Sequence, residues 1–145
     1  MSSKKKRISP SDPKSVQASS KIQSTNIQSP KEISFSYRYF KNDNDKFSIS
    51  NKDARYLEAL IERLRDLSTM TFNEITVINA KRLRCHAIDW TDTTEICFGL
   101  PNEKQLVDTP YQFQLSSNEH GRVHGFFLKN VFYIVWLDPN HNLYS

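Results

Sequence analysis

The residues best suited to chemistry lie near the end of the chain. Asn118-Glu119-His120-Gly121-Arg122-Val123-His124 precedes an apolar run, Val131 to Leu137, and Asp138-Pro139-Asn140-His141-Asn142-Leu143-Tyr144 follows it. Read as an antiparallel hairpin, the run brings Arg122 and the residues after Leu137 to the same end. Glu119, His120, Arg122, His141 and Tyr144 then fall within reach of one another. Such a set can break an RNA phosphodiester without a metal. A base takes the 2′-OH proton, a cation steadies the extra charge on phosphorus, and an acid protonates the leaving 5′-oxygen. The plainer account makes His120 and Arg122 polar hairpin-end residues, Asp138-Pro139-Asn140 a turn, and His141 and Tyr144 packing residues.

Other chemistries find less support. The His and Cys residues are Cys85, His86, Cys97, His120, His124 and His141, and no pair has CxxC or helical HxxxH spacing. No metal site and no cofactor are therefore expected. Gly99, Gly121 and Gly125 form neither a phosphate loop nor a Gly-x-Ser-x-Gly elbow. Cys85 reads as an inward-facing strand residue of the core. Two cysteines cannot build a disulfide framework, so reduced thiols and a cytoplasmic location are expected.

The positioning elements follow from hydrophobic periodicity. Ile33, Phe35, Tyr37 and Tyr39 alternate with polar residues, as in a half-buried strand. Ser50 or Asn51 is placed as the cap of a helix whose apolar stripe is Leu57, Leu60, Ile61, Leu64 and Leu67. Thr71-Phe72-Asn73-Glu74 is a capping box for a second, shorter helix, with Phe72, Ile75 and Ile78 facing inward. Residues 81–88 read as a strand with Leu83, Cys85 and Ala87 on one face. Residues 89–109 read as a long ordered loop with one helical turn over 102–107. Tyr111, Phe113 and Leu115 mark the next strand. The last two strands, Arg122 to Leu128 and Val131 to Leu137, are joined at Lys129-Asn130, with Asn130 as the residue suited to positive φ. That turn would set Leu128 opposite Val131, His124 opposite Val135 and Arg122 opposite Leu137. The expected fold class is α+β: a helix pair on a mostly antiparallel sheet, in the order β-α-α-β-(long loop)-β-β-β.

Composition bounds the rest. The chain has 145 residues, enough for one ordinary domain. Its longest apolar run is seven residues, too short to span a membrane. The net charge of +4 is unevenly placed: residues 1–32 hold seven of the 20 Lys/Arg and two of the 16 acids. Residues 1–31 are rich in Ser, Lys, Gln and Pro and read as a disordered basic tail, leaving 32–145 as a single domain. Lys4-Lys5-Lys6-Arg7 suits a nucleic-acid contact or a nuclear address, or simply a solubilising terminus.

Taken together, this pattern resembles the RelE/YoeB-like toxins of the RelE/ParE superfamily, the messenger-RNA endonucleases of bacterial toxin–antitoxin pairs. The resemblance rests on the element order, on Lys81-Arg82-Leu83 followed by Tyr111-Gln112-Phe113-Gln114-Leu115-Ser116, and on Glu119-His120-Gly121-Arg122. A terminal His141 with Tyr144 close behind completes it. It implies that Arg122 stabilises the phosphate, that His141 is a general acid or base, and that Tyr144 stacks on or orients a base. It implies RNA binding by Lys81, Arg82 and Arg84, with messenger RNA or the ribosome and a cognate antitoxin as partners. The chain departs from the family's pattern in its 89–109 segment and in the spacing of His120 from Arg122 and of His141 from Tyr144. The alternative expectation is a non-catalytic binding module of the same fold, or an interaction protein acting by protein contact.

Overall fold

The computed structural model describes residues 30–117 and 119–144. The expectations for the basic tail and for Asn118 lie outside the described residues. The fold is α+β. Its elements are β1 (Ser34–Ser36), α1 (Ala54–Leu67), α2 (Ala80–Leu83), β2 (His86–Ala87), α3 (Glu103–Leu106), β3 (Pro110–Gln114), β4 (Arg122–Leu128) and β5 (Val131–Asp138). The strands lie side by side in the order β1-β5-β4-β3-β2. All neighbours are antiparallel except β1, which runs parallel to β5 at one edge.

Alternation on the strands gives the sheet two apolar faces, and each is covered. Phe113, Leu115, Val123, Phe132, Ile134 and Leu137 pack with Tyr56, Leu60 and Leu67 of α1 and with Ile75 and Leu83. Phe126, Val135 and Trp136 emerge on the other face under Phe47, Ile88, Phe98 and Leu143. The 89–109 segment is this second cover. Trp90 and Phe98 meet edge to face with centroids 5.1 Å apart, and both pack on Trp136. Two covered faces explain why β5 is apolar at almost every position.

The structure corrects several expectations. The first strand stops at Ser36, because a turn begins at Tyr37, whose carbonyl accepts from Phe40 N–H. The cap of α1 is Asp53, not Ser50 or Asn51; its carboxylate accepts from Arg55 and Tyr56 N–H. The buried stripe of α1 runs through Tyr56, Leu60 and Leu67, while Leu57 and Ile61 face outward. An all-aliphatic pattern missed the tyrosine and so rotated the helix. The capping box at Thr71 is present in both directions, Glu74 N–H to Thr71 Oγ1 and Thr71 N–H to Glu74 Oε1. The helix it opens is of the wide π type over Glu74–Ile78, closed by Asn79 N–H on Glu74 O. The wider turn leaves only Ile75 buried and swings Val77 and Ile78 out; Phe72 lies at the edge against Phe127. Residues 81–88 are not one strand: α2 runs to Leu83, Arg84 turns in the left-handed region (φ 50°), and β2 is only two residues.

The hairpin register also differs. Leu128 pairs with Val131, but His124 pairs with Trp136 and Arg122 with Asp138. A bulge at Val135 inserts one residue into β5, so that Val135 and Trp136 both reach the second face. Gly125 permits it: a Cβ there would lie 2.0 Å from the Tyr133 carbonyl oxygen. Lys129, not Asn130, takes the positive φ of the turn.

Candidate functional site

The bulge decides which residues meet at the sheet's end. On the second face, His86, Gln112, His124 and Trp136 form one row across β2, β3, β4 and β5. The next row is Gln114, Arg122 and Asp138. Cover from Trp90 and Phe98 lies over Trp136, while the β2 side of these rows stays open. There, Lys81, Arg84, Cys85, His86, Gln112 and Arg122 line a depression of about 400 Å³.

The lining is cationic. Burial lowers the Arg122 guanidinium below its ordinary value and the nearby Arg84 charge lowers it further, against a raising pull from Asp138 and Tyr144. Two guanidiniums thus face one depression and repel each other. Among the described residues, no carboxylate lies within ion-pair distance of Lys81, Arg84 or Arg122. Convergent cations without carboxylates favour an anionic guest. Arg84 reaches the site because the left-handed turn after α2 redirects the chain.

Asp138 is spoken for. It is 1% exposed, and its oxygens accept from Asn142 N–H at 2.8 Å, from Leu143 N–H at 3.0 Å and from His124 Nε2 at 3.2 Å. Burial raises this carboxyl, but those donors together hold it below its ordinary value. Burial keeps His124 neutral, lowering it more than Asp138 raises it. The carboxylate clamps the C-terminal turn, Asn142–Tyr144, to the end of β5. Thr94 N–H to Leu143 O and Asn142 Nδ2 to Lys46 O fasten it further. The clamped turn sets the Tyr144 ring 6.5 Å from the His86 ring, beside Arg122. Gly121 is required opposite: its φ is +70°, and a Cβ would lie 1.9 Å from the Asp138 carbonyl oxygen.

The structure brings together Lys81, Arg84, Arg122 and Tyr144 of the residues singled out from the sequence. Arg82 does not line the depression; its carbonyl accepts from Gln114 Nε2 at 2.8 Å. Glu119 is largely exposed and His120 lies 3.9 Å from it. His120 packs edge to face on Tyr56 of α1, not on the depression. His141 occupies an exposed left-handed position (φ 57°) in the turn and is not among the lining residues.

Sequence reasoning missed His86 and Gln112. The signal was the alternation of Gln112 and Gln114 with Tyr111, Phe113 and Leu115: a polar strand face that nevertheless becomes buried. His86 Nδ1 lies 2.8 Å from Ala87 O. That acceptor places the proton of a neutral ring on Nδ1 and leaves the Nε2 lone pair available as a base.

A larger cleft of about 700 Å³ lies in the second cover, lined by Trp90, Ile96, Leu100 and Val107 among others. Its Glu103 is engaged by Phe98 and Leu100 N–H. It gathers no cluster of like charge, so the smaller depression carries the chemistry better. Among the described residues no group of His, Cys, Asp and Glu is arranged to hold a metal ion, and no helix is long and apolar enough to cross a membrane. Comparison with protein-family models, with curated proteins and with solved structures finds no match for this chain.

Proposed function

We propose that the chain is an endoribonuclease of RelE/YoeB-like type, cleaving messenger RNA by metal-independent acid–base chemistry at the ribosome. The observation that carries this reading is the depression itself: Lys81, Arg84 and Arg122 converge without carboxylate partners, with His86 in the lining and Tyr144 beside it. A phosphodiester seated there is held by the three cations. His86 Nε2 takes the 2′-OH proton as the 2′-oxygen bonds to phosphorus. Arg122 and Arg84 stabilise the added negative charge, and the bond to the 5′-oxygen breaks. Burial raises the Tyr144 phenol, so it carries its proton at neutral pH and can give it to the leaving oxygen. The products are a 2′,3′-cyclic phosphate and a 5′-hydroxyl. His141 keeps the acid–base role that the resemblance implies as the competing assignment.

The test is primer extension on a defined messenger RNA in a translating bacterial extract. Wild type is compared with Arg122→Ala, His86→Ala and His141→Ala. Discrete cleavages that require translation and vanish in Arg122→Ala support the reading. Whichever histidine variant abolishes them identifies the base. Intact messenger RNA with wild-type protein overturns it; RNA binding without cleavage would then leave the same fold as a non-catalytic binding module.

A further inference from the structure

The floor of the depression holds a polar group that phosphate binding does not use. Gln112 is only 4% exposed, and it lines the depression between His86 on β2 and His124 on β4. Its amide oxygen is buried and has no hydrogen-bond partner among the described residues. The neighbouring Gln114 also has an orphaned oxygen, but its amide nitrogen is committed to Arg82 O. Gln112 has neither end engaged. A buried amide oxygen without a partner costs free energy in the empty protein, and a ligand that supplies the missing bond recovers it.

The ligand must bring a donor beside an acceptor, because a carboxamide presents one of each on a planar edge. Lys81, Arg84 and Arg122 already provide for the anionic part of that ligand. Among components of an RNA strand, the bases offer such a planar edge; the ribose 2′-hydroxyl also donates and accepts, but it is the same in all four nucleotides and cannot separate their affinities. An unpaired base can turn its edge into a site whose cations hold the adjoining phosphate. We infer that Gln112 reads the edge of one unpaired nucleobase, making this depression base-selective and not only a phosphate cradle. The inference rests on the RNA reading above and adds selectivity to it. It divides the lining into two kinds of contact: cations that act alike on every sequence, and one amide that does not.

The experiment measures binding of four labelled RNA homo-oligomers, A, U, C and G, to the full chain at fixed salt. Wild type is compared with Gln112→Met, which keeps the side-chain length and removes the amide. A second variant, Gln112→Glu, keeps the shape and the acceptor and removes the donor. Arg122→Ala serves as the phosphate control, and circular dichroism verifies folding of each. Wild type is expected to spread the four affinities over about tenfold or more, the scale of one good bidentate base contact. Gln112→Met should collapse that spread, Gln112→Glu should change which oligomer binds best, and Arg122→Ala should weaken all four alike. A spread that survives both Gln112 variants overturns the inference while leaving the RNA reading intact. Failure of wild type to bind any oligomer overturns the inference, while the RNA reading falls only if messenger RNA also stays intact in the translating extract.

Discussion

Asp138 offers the sharpest test of how this end of the molecule is built. Replacing it with alanine strands three buried or half-buried donors: His124 Nε2, Asn142 N–H and Leu143 N–H. A donor left without its acceptor inside a protein costs about 1–3 kcal/mol. His124 and Leu143 are 0% exposed, so water cannot replace the lost acceptor without opening the turn. Asn142 is half-buried and recovers part of its loss. Taking the low end of the range for each, with a little more for the two fully buried groups, gives about 4 kcal/mol. That is a large share of the roughly 5–15 kcal/mol that holds a typical domain. The assay is urea unfolding of the full chain followed by tryptophan emission. Trp136 is suited to it, stacked on Phe47 at 4.3 Å with the His124 ring 6.3 Å away. With a urea slope of about 1.5 kcal/mol per molar, the midpoint should fall by roughly 2.5 M. A fall below about 0.5 M would mean that these donors do not depend on Asp138. The C-terminal turn would then be held by Thr94 and Lys46 alone, and the carboxylate would not be its clamp.

Two further outcomes follow from the same region. His124 has a lowered folded value, so between its ordinary value of 6.5 and that lower value the unfolded chain binds a proton that the folded chain does not. Its contribution is intact above pH 6.5 and is lost as the pH falls, at up to about 1.4 kcal/mol per pH unit. Urea titrations from pH 7 to pH 5 should show that loss in wild type, and His124→Gln should flatten it. Gly121→Ala should lower the melting temperature by more than an ordinary surface substitution, because its Cβ would overlap the Asp138 carbonyl and its φ of +70° suits glycine. An unchanged melting curve would mean that the turn shifts freely.

Much of the fold was legible because its elements rest on long apolar patterns. The last hairpin, the capping box at Thr71 and the existence of α1 all follow from residues within a few positions of one another. The errors arise where one local choice is settled by a distant partner. Arg84 takes a left-handed turn, ending a helix where alternation suggested a strand, and no neighbour in sequence announces it. The Val135 bulge shifts the hairpin by one residue beyond His124, which is why Arg122 faces Asp138 and not Leu137. The carbonyl of that bulged residue accepts from Lys41 N–H, almost a hundred positions earlier, so the cause of the shift is not local. The site was legible in its cations and less so in its polar floor. Arg122, Lys81, Arg84 and Tyr144 stood out by charge or by position in the resemblance. Gln112 did not, since a glutamine on an alternating strand reads as the solvent side, whereas this one is only 4% exposed.

The arrangement of strand lengths has a consequence for the state of the protein in solution. The two longest strands, β4 and β5, lie inside the sheet, and the edges are β1 with three residues and β2 with two. So little free edge gives another chain almost nothing to extend. On one side β1 covers Val131–Tyr133 of β5, and beyond it Lys41 N–H occupies the Val135 carbonyl. If Ser34–Ser36 peels away, Val131–Tyr133 is uncovered and joins the rest of β5, which β1 does not pair, in one edge that carries Phe132, Tyr133, Ile134, Val135, Trp136 and Leu137 in succession. Damage to that short strand would therefore surface first as self-association of nearly native molecules, and only afterwards as loss of the fold.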